Sequence, residues 1–156
     1  MARYALFLLA AASALSGADA GDFDYGAYKL ASLAGAIAEH HEEKDPATDF
    51  LIDTGNFKYA VVVTYTGQHR ETGASAKALI HRWAKALRHP KEYETFFGQE
   101  LEVESAGTKY WLPIQNAMVQ SFASEVRAGT SVKLYILLLG ATKEGWVFAI
   151  NEFQGQ

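Results

Sequence analysis

Two spacings of apolar residues alternate along this chain, one helical and one of period two, and the points where they switch mark out its elements. Ala27, Leu30, Ala31, Ala34, Ile37 and Ala38 recur at helical spacing, His40 to Lys44 make a polar last turn, and Asp45-Pro46 stops the run. A first helix is predicted there, with a face made mostly of alanine that can lie close to a neighbour. From Phe57 to Thr66, the residues Phe57, Tyr59, Val61, Val63 and Tyr65 alternate with Lys58, Ala60, Val62, Thr64 and Thr66. That segment is rich in β-branched and aromatic residues and predicts a strand. Gly67 to Gly73 reads as a polar loop. From Ala74, the positions Leu79, Ile80, Trp83, Ala84 and Leu87 form the stripe of a second helix that stops at His89-Pro90. Pro90 starts a short further turn ending at Gly98.

The second half continues in the same way. Glu100-Leu101-Glu102-Val103-Glu104 alternates strictly, Ala106-Gly107 supplies a turn, and Lys109 to Leu112 returns, predicting a hairpin with one solvated face. Pro113 suits a helix start, Met118, Phe122 and Val126 follow four apart, and Gly129 sits where a left-handed terminal residue belongs. Val132 to Leu139 is apolar on both faces apart from Lys133, as in a strand covered on both sides. Gly140 to Gly145 then turns into a closing strand from Trp146 to Phe153.

The predicted order is helix, strand, helix, hairpin, helix, hairpin. It implies an α+β fold with an antiparallel sheet of about five strands and three helices. If the helix of residues 74 to 89 is an insertion, the remaining order of strand, hairpin, helix and hairpin matches an OB-like barrel, an order that open antiparallel sheets share.

The first twenty residues add an address. Met1-Ala2-Arg3-Tyr4, the apolar run Ala5 to Leu15 and the small-residue ending Ala18-Asp19-Ala20 read as a secretory signal peptide cleaved before Gly21. Residues 21 to 156 are then expected to form one globular domain, exported, soluble and not membrane-spanning. The full chain's hydrophobic fraction of 49% suits a packed core and excludes a disordered chain. The chain has no cysteine, which removes disulfides, thiolate metal sites, a cysteine nucleophile and a lipid-anchor cysteine. Together these favour the periplasm or a secreted location.

The clearest charge feature lies between His69 and Lys91, where Arg70, Lys77, Arg82, Lys85, Arg88 and Lys91 face only Glu71 in a chain of net charge −4. Lys77, His81, Lys85 and Arg88 or His89 follow at three- or four-residue steps and share one helix face. Arg70, Lys77, His81, Arg82, Lys85, Arg88 and His89 are therefore the candidate contact residues for an anionic envelope component or an acidic protein. The bland alternative is a solvated face balancing acidic neighbours. Nucleic acid is disfavoured for an exported acidic chain without a nucleic-acid motif.

Catalytic and metal motifs are missing. There is no His-Glu-x-x-His, no Gly-x-Ser-x-Gly and no Ser-x-x-Lys. His40 and Glu43 are the only local pair with metal-compatible spacing, and they read as the end of a helix. Glu100, Glu102 and Glu104 read as a solvated strand face, since same-face neighbours lie about 6.6 Å apart. Tyr59, Tyr65, Tyr110, Trp111, Tyr135 and Trp146 read as core and sheet neighbours, or as a stacking surface for sugars or bases if the sheet is OB-like. With no catalytic, metal or cofactor residue assigned, the expectation is a non-catalytic binding or accessory module. A periplasmic or secreted hydrolase whose site is not visible in sequence is the alternative.

Overall fold

The computed structural model describes residues 23–43, 49–88 and 96–155. The expected signal peptide, His89 and the expected turn starting at Pro90 lie outside the described residues. The fold is α+β, with three α-helices and a seven-stranded mixed sheet among the described residues, the strands in the order β1-β3-β4-β5-β7-β6-β2. The strands are β1 (Lys29–Leu30), β2 (Phe50–Ile52), β3 (Lys58–Glu71), β4 (Gln99–Ser105), β5 (Thr108–Ile114), β6 (Ser131–Thr142) and β7 (Gly145–Gly155). The helices are α1 (Leu33–Glu39), α2 (Ala74–Ala86) and α3 (Asn116–Glu125). The predicted element order is present, with the short strands β1 and β2 added to it.

Two features depart from an antiparallel five-stranded sheet. β1 joins β3 in parallel, and β5 joins β7 in parallel through one residue pair, Ile114 with Ile150. β3 also pairs with β6, so the sheet curls back on itself, but the β5–β7 seam has no continuous ladder and the barrel is not closed.

The first helix is shorter than predicted, and its buried residues are Leu33 and Ala36 rather than the alanine stripe. Ser32 starts it by accepting the Gly35 N–H at 3.0 Å. The residues before Ser32 go to the sheet, where Ala31 N–H donates to the Ala60 carbonyl at 3.1 Å. Long-range pairing here outcompetes the weak helical drive of a small-residue stripe.

β3 runs through the predicted polar loop as far as Glu71. Gly67, at φ +90°, lies within a register shift between Tyr65 and His69, and beyond it His69, Arg70 and Glu71 pair with Leu101, Glu100 and Gln99. A glycine-centred bulge re-aims the strand without ending it. Pro113 is likewise in β5, opposite Glu100, and the third helix starts only at Asn116. The β4–β5 turn has positive φ at both Ala106 and Gly107, which fits a type I′ turn.

β6 is the wall between two cores. Leu134, Ile136 and Leu138 pack in one cluster with Phe122 of α3 and Leu33 of α1. Leu137 and Leu139 face the other, with Leu79, Ile80, Trp83 and Ala84 of α2. Each such side chain contributes about 1.5–3 kcal/mol on burial, which explains why an apolar stripe on α2 fixes that helix against β6 and β7. The connection carrying α2 is pinned at its base by Thr72, whose N–H donates to Gly98 and whose hydroxyl donates to Phe97. No helix among the described residues is long and apolar enough to cross a membrane.

Candidate functional site

β5 and β7 are laddered only at Ile114 and Ile150, and the residues just before these on each strand line a cleft. Its volume is about 410 Å³, within the range of about 300–1,000 Å³ typical of small-molecule sites. Lys109 to Leu112 of β5 form one side and Gly145 to Phe148 of β7 the other. Gly73 and Ala76, from the connection carrying α2, lie across the mouth. Four aromatic side chains, Tyr110, Trp111, Trp146 and Phe148, line it.

Its wall holds a buried carboxylate. Glu100 is 2% exposed, although strict alternation places it on the same strand face as Glu102 and Glu104. The bulge in β3 sets Arg70 directly opposite, where its Nε–H donates to Glu100 Oε1 at 2.5 Å. The guanidinium carbon lies 3.9 Å from the centre of the Trp111 ring, adding a cation–π contact to the ion pair. A buried carboxylate is costly unless paired, and Arg70 supplies that pair from a half-exposed position. The solvated hairpin face expected from sequence is thus corrected. Glu100 is buried, Glu102 is mostly covered with Lys109 Nζ at 3.2 Å, and Glu104 alone of the three is exposed. At the rim, Glu144 accepts a hydrogen bond from Ser75 Oγ at 2.7 Å.

Trp146 connects this cleft to a second polar group, since its ring lies 5.7 Å from that of His40. His40 is 2% exposed, with Nδ1 3.0 Å from Glu43 Oε2 and Nε2 2.7 Å from the Tyr59 hydroxyl. Tyr59 donates its one proton to Glu39 at 3.0 Å, so Nε2 donates to the phenol oxygen. Burial first, then the Glu39 carboxylate, raises the Tyr59 phenol well above its ordinary value. Asp53 brings a third ligand-type atom near His40 and Glu43, all within 4.8 Å of one another. Both ring nitrogens of His40 nevertheless have protein partners.

The residues of the predicted basic face are divided by the fold. Arg70 belongs to the cleft wall. Lys77 is paired with Glu71, and the Arg82 guanidinium lies 4.3 Å from the Phe50 ring centre. His81, Lys85 and Arg88 are exposed on the α2 side, with Arg88 just past the helix end at φ +61°, and His89 lies outside the described residues. Neither His69 nor His81 lines the cleft. Of the aromatic set, Tyr110, Trp111 and Trp146 gather at the cleft, while Tyr59, Tyr65 and Tyr135 are buried elsewhere. Glu100 was readable only with the bulge in hand, and no local signal marks Glu144.

Compared with known proteins, the chain matches no family model, and no curated protein matches it in sequence.

Proposed function

We propose that this chain is an exported, non-catalytic binding module that takes a small ligand in the cleft between β5 and β7. The observation that carries this reading is the cleft itself, with four aromatic side chains beside the buried Glu100 and the half-exposed Arg70 that pairs with it. Strand order supports it. β3, β4, β5, β7 and β6 neighbour one another in turn, β6 returns to β3, and α3 stands between β5 and β6. This is the OB-like order, in which ligands lie on the second and third strands between the loops joining first to second and fourth to fifth. Here those are the β4–β5 hairpin, the connection carrying α2 and the Lys143–Glu144 turn, and residues of all three line the cleft. The exposed α2 side, with Lys85 and Arg88, serves as a secondary contact for an anionic envelope component.

A thermal-shift screen of the exported protein against a mixed small-molecule library tests the reading, because a ligand that binds only the folded state raises its melting temperature. Hits lost in Trp146→Ala support the cleft. Hits unaffected by that change, or none at all, sink it. Export is tested by Edman sequencing, which should return Gly21 as the first residue, whereas recovery of intact Met1 from the exported fraction would overturn it.

A second reading, a hydrolase, is favoured by one observation, the buried Glu100 carboxylate in a cleft with Glu144 at its rim. It requires turnover that Glu100→Gln abolishes while binding persists.

A further inference from the structure

We infer that the ligand of this cleft is a neutral saccharide, an inference that rests on reading the cleft as a binding site. The charges come first. The ionisable side chains lining the cleft are Arg70, Lys109, Glu100 and Glu144, two of each sign. Each already has a partner: Arg70 with Glu100, Lys109 with Glu102 at 3.2 Å, and Glu144 with Ser75. A phosphate would face two carboxylates, and an organic cation would face a guanidinium and an ammonium. A phosphate would have to compete for cations that are already paired, which returns little net energy, and an organic cation would find only Glu144 without a cationic partner while standing beside two like charges.

What the wall has left to offer is hydrogen bonding. Arg70 spends its Nε–H on Glu100, and a guanidinium has five N–H donors in all. Glu144, exposed at the rim, has one oxygen engaged with Ser75 and a second beside it. Along the cleft, the facing edges of β5 and β7 also lack the ladder that would consume backbone N–H and C=O groups. Donors and acceptors therefore stand side by side. A hydroxyl group both donates and accepts, so a ring carrying several can satisfy this mixture without displacing an ion pair.

The remaining surface is apolar. Tyr110, Trp111 and Trp146, with Ile37 and Val147, give the C–H face of a sugar ring somewhere to lie out of water. A nucleotide would bring phosphate charge to a neutral wall in an acidic chain. A zwitterionic amino acid would compete with the existing Arg70–Glu100 pair for both its ends.

Two of the three tryptophans line the cleft, so intrinsic fluorescence reports on it directly. The protein is titrated with maltotriose, cellotriose and chitotriose, and in parallel with AMP, inorganic phosphate, free tryptophan and trialanine, with calorimetry confirming each positive. The expected result is saturable binding of at least one trisaccharide. Its affinity should stay constant within about twofold between about 0.1 M and 1 M salt, because no net charge is neutralised. Trp146→Ala should weaken it by about tenfold or more, equivalent to about 1.4 kcal/mol. Glu144→Gln changes only an exposed rim residue, and should weaken binding severalfold with the melting temperature unchanged, which guards against a misfolded Trp146 variant. Cleft-dependent binding of AMP, phosphate, tryptophan or trialanine with no trisaccharide response would overturn the saccharide and leave the cleft standing. Silence from every probe would overturn both.

Discussion

Arg70 and Lys85 belong to one run of basic residues in the sequence, yet they lead different lives. Arg70 sits across the ladder from a buried carboxylate and against an indole ring, whereas Lys85 stands on the exposed side of α2. Among the described residues no ion pair is formed by Lys85. A cation's worth depends on what its partner would lose without it. Glu100 is 2% exposed, so Arg70 is a structural necessity, while no buried group among the described residues depends on Lys85.

The same chemical edit at the two places breaks or sharpens this contrast. Arg70→Met keeps an unbranched stem but strands the Glu100 carboxylate, and should cost about 1–3 kcal/mol in urea melts. Adding Glu100→Gln to Arg70→Met should recover part of that loss, since a neutral amide is cheaper to bury than an unpaired charge. A double variant no better than the sum of its singles would deny the coupling.

Buried phenols carry the contrast into alkaline pH. Tyr28, which accepts a hydrogen bond from Asn151, is pushed up to about 12 by burial. The folded state therefore holds that proton more tightly than the unfolded chain does, whose tyrosines titrate near 10. Stability is full below about pH 10 and falls as pH rises towards about 12. Tyr65 and Tyr135 are raised in the same direction, also by burial. Tyr28→Phe should flatten the decline measured by urea melts across that window, and an unchanged slope would assign the decline to other groups.

The smallest effects on stability belong to α2. Lys85→Met should change it by less than about 0.5 kcal/mol, the usual range for surface positions. Lys85→Glu with Arg88→Glu should also leave the melt nearly unchanged while lowering retention on a heparin column at low salt. Equal retention of wild type and double variant would return this side of α2 to a solvated face.

Periodicity made much of the fold legible. β6 announces its two covered faces through Leu134 to Leu139, and α2 announces its stripe through Leu79, Ile80 and Trp83, because burial on a fixed repeat is a local property of sequence. β1 and β2 are two and three residues long and exist only through their pairing with β3 and β6, so no local pattern could reveal them. The site was harder still. Trp111 and Trp146 could be suspected as aromatic, but that they share a cleft depends on β5 and β7 being neighbours across the sheet. The burial of Glu100 depends on a bulge that brings Arg70 opposite it. Gly140 marks a similar long-range fact, since a Cβ there would collide with the Leu51 carbonyl oxygen of β2.

The one-pair seam between β5 and β7 sets how the molecule should breathe. The β4–β5 hairpin is anchored along one side by β3, and on the other its ladder to β7 is the single pair Ile114 with Ile150, with Gln115 Nε2 donating to Asn151 Oδ1 at 3.2 Å just beyond it. Opening that side sacrifices few hydrogen bonds, so it belongs at the low-energy end of the hierarchy of local openings. Amide hydrogens of residues 109–112 that face β7 should exchange with solvent far sooner than those of β6, which is laddered on both sides. Were the cleft to take a ligand as proposed, its rate of entry should follow the opening of the hairpin about Ile114 as well as diffusion.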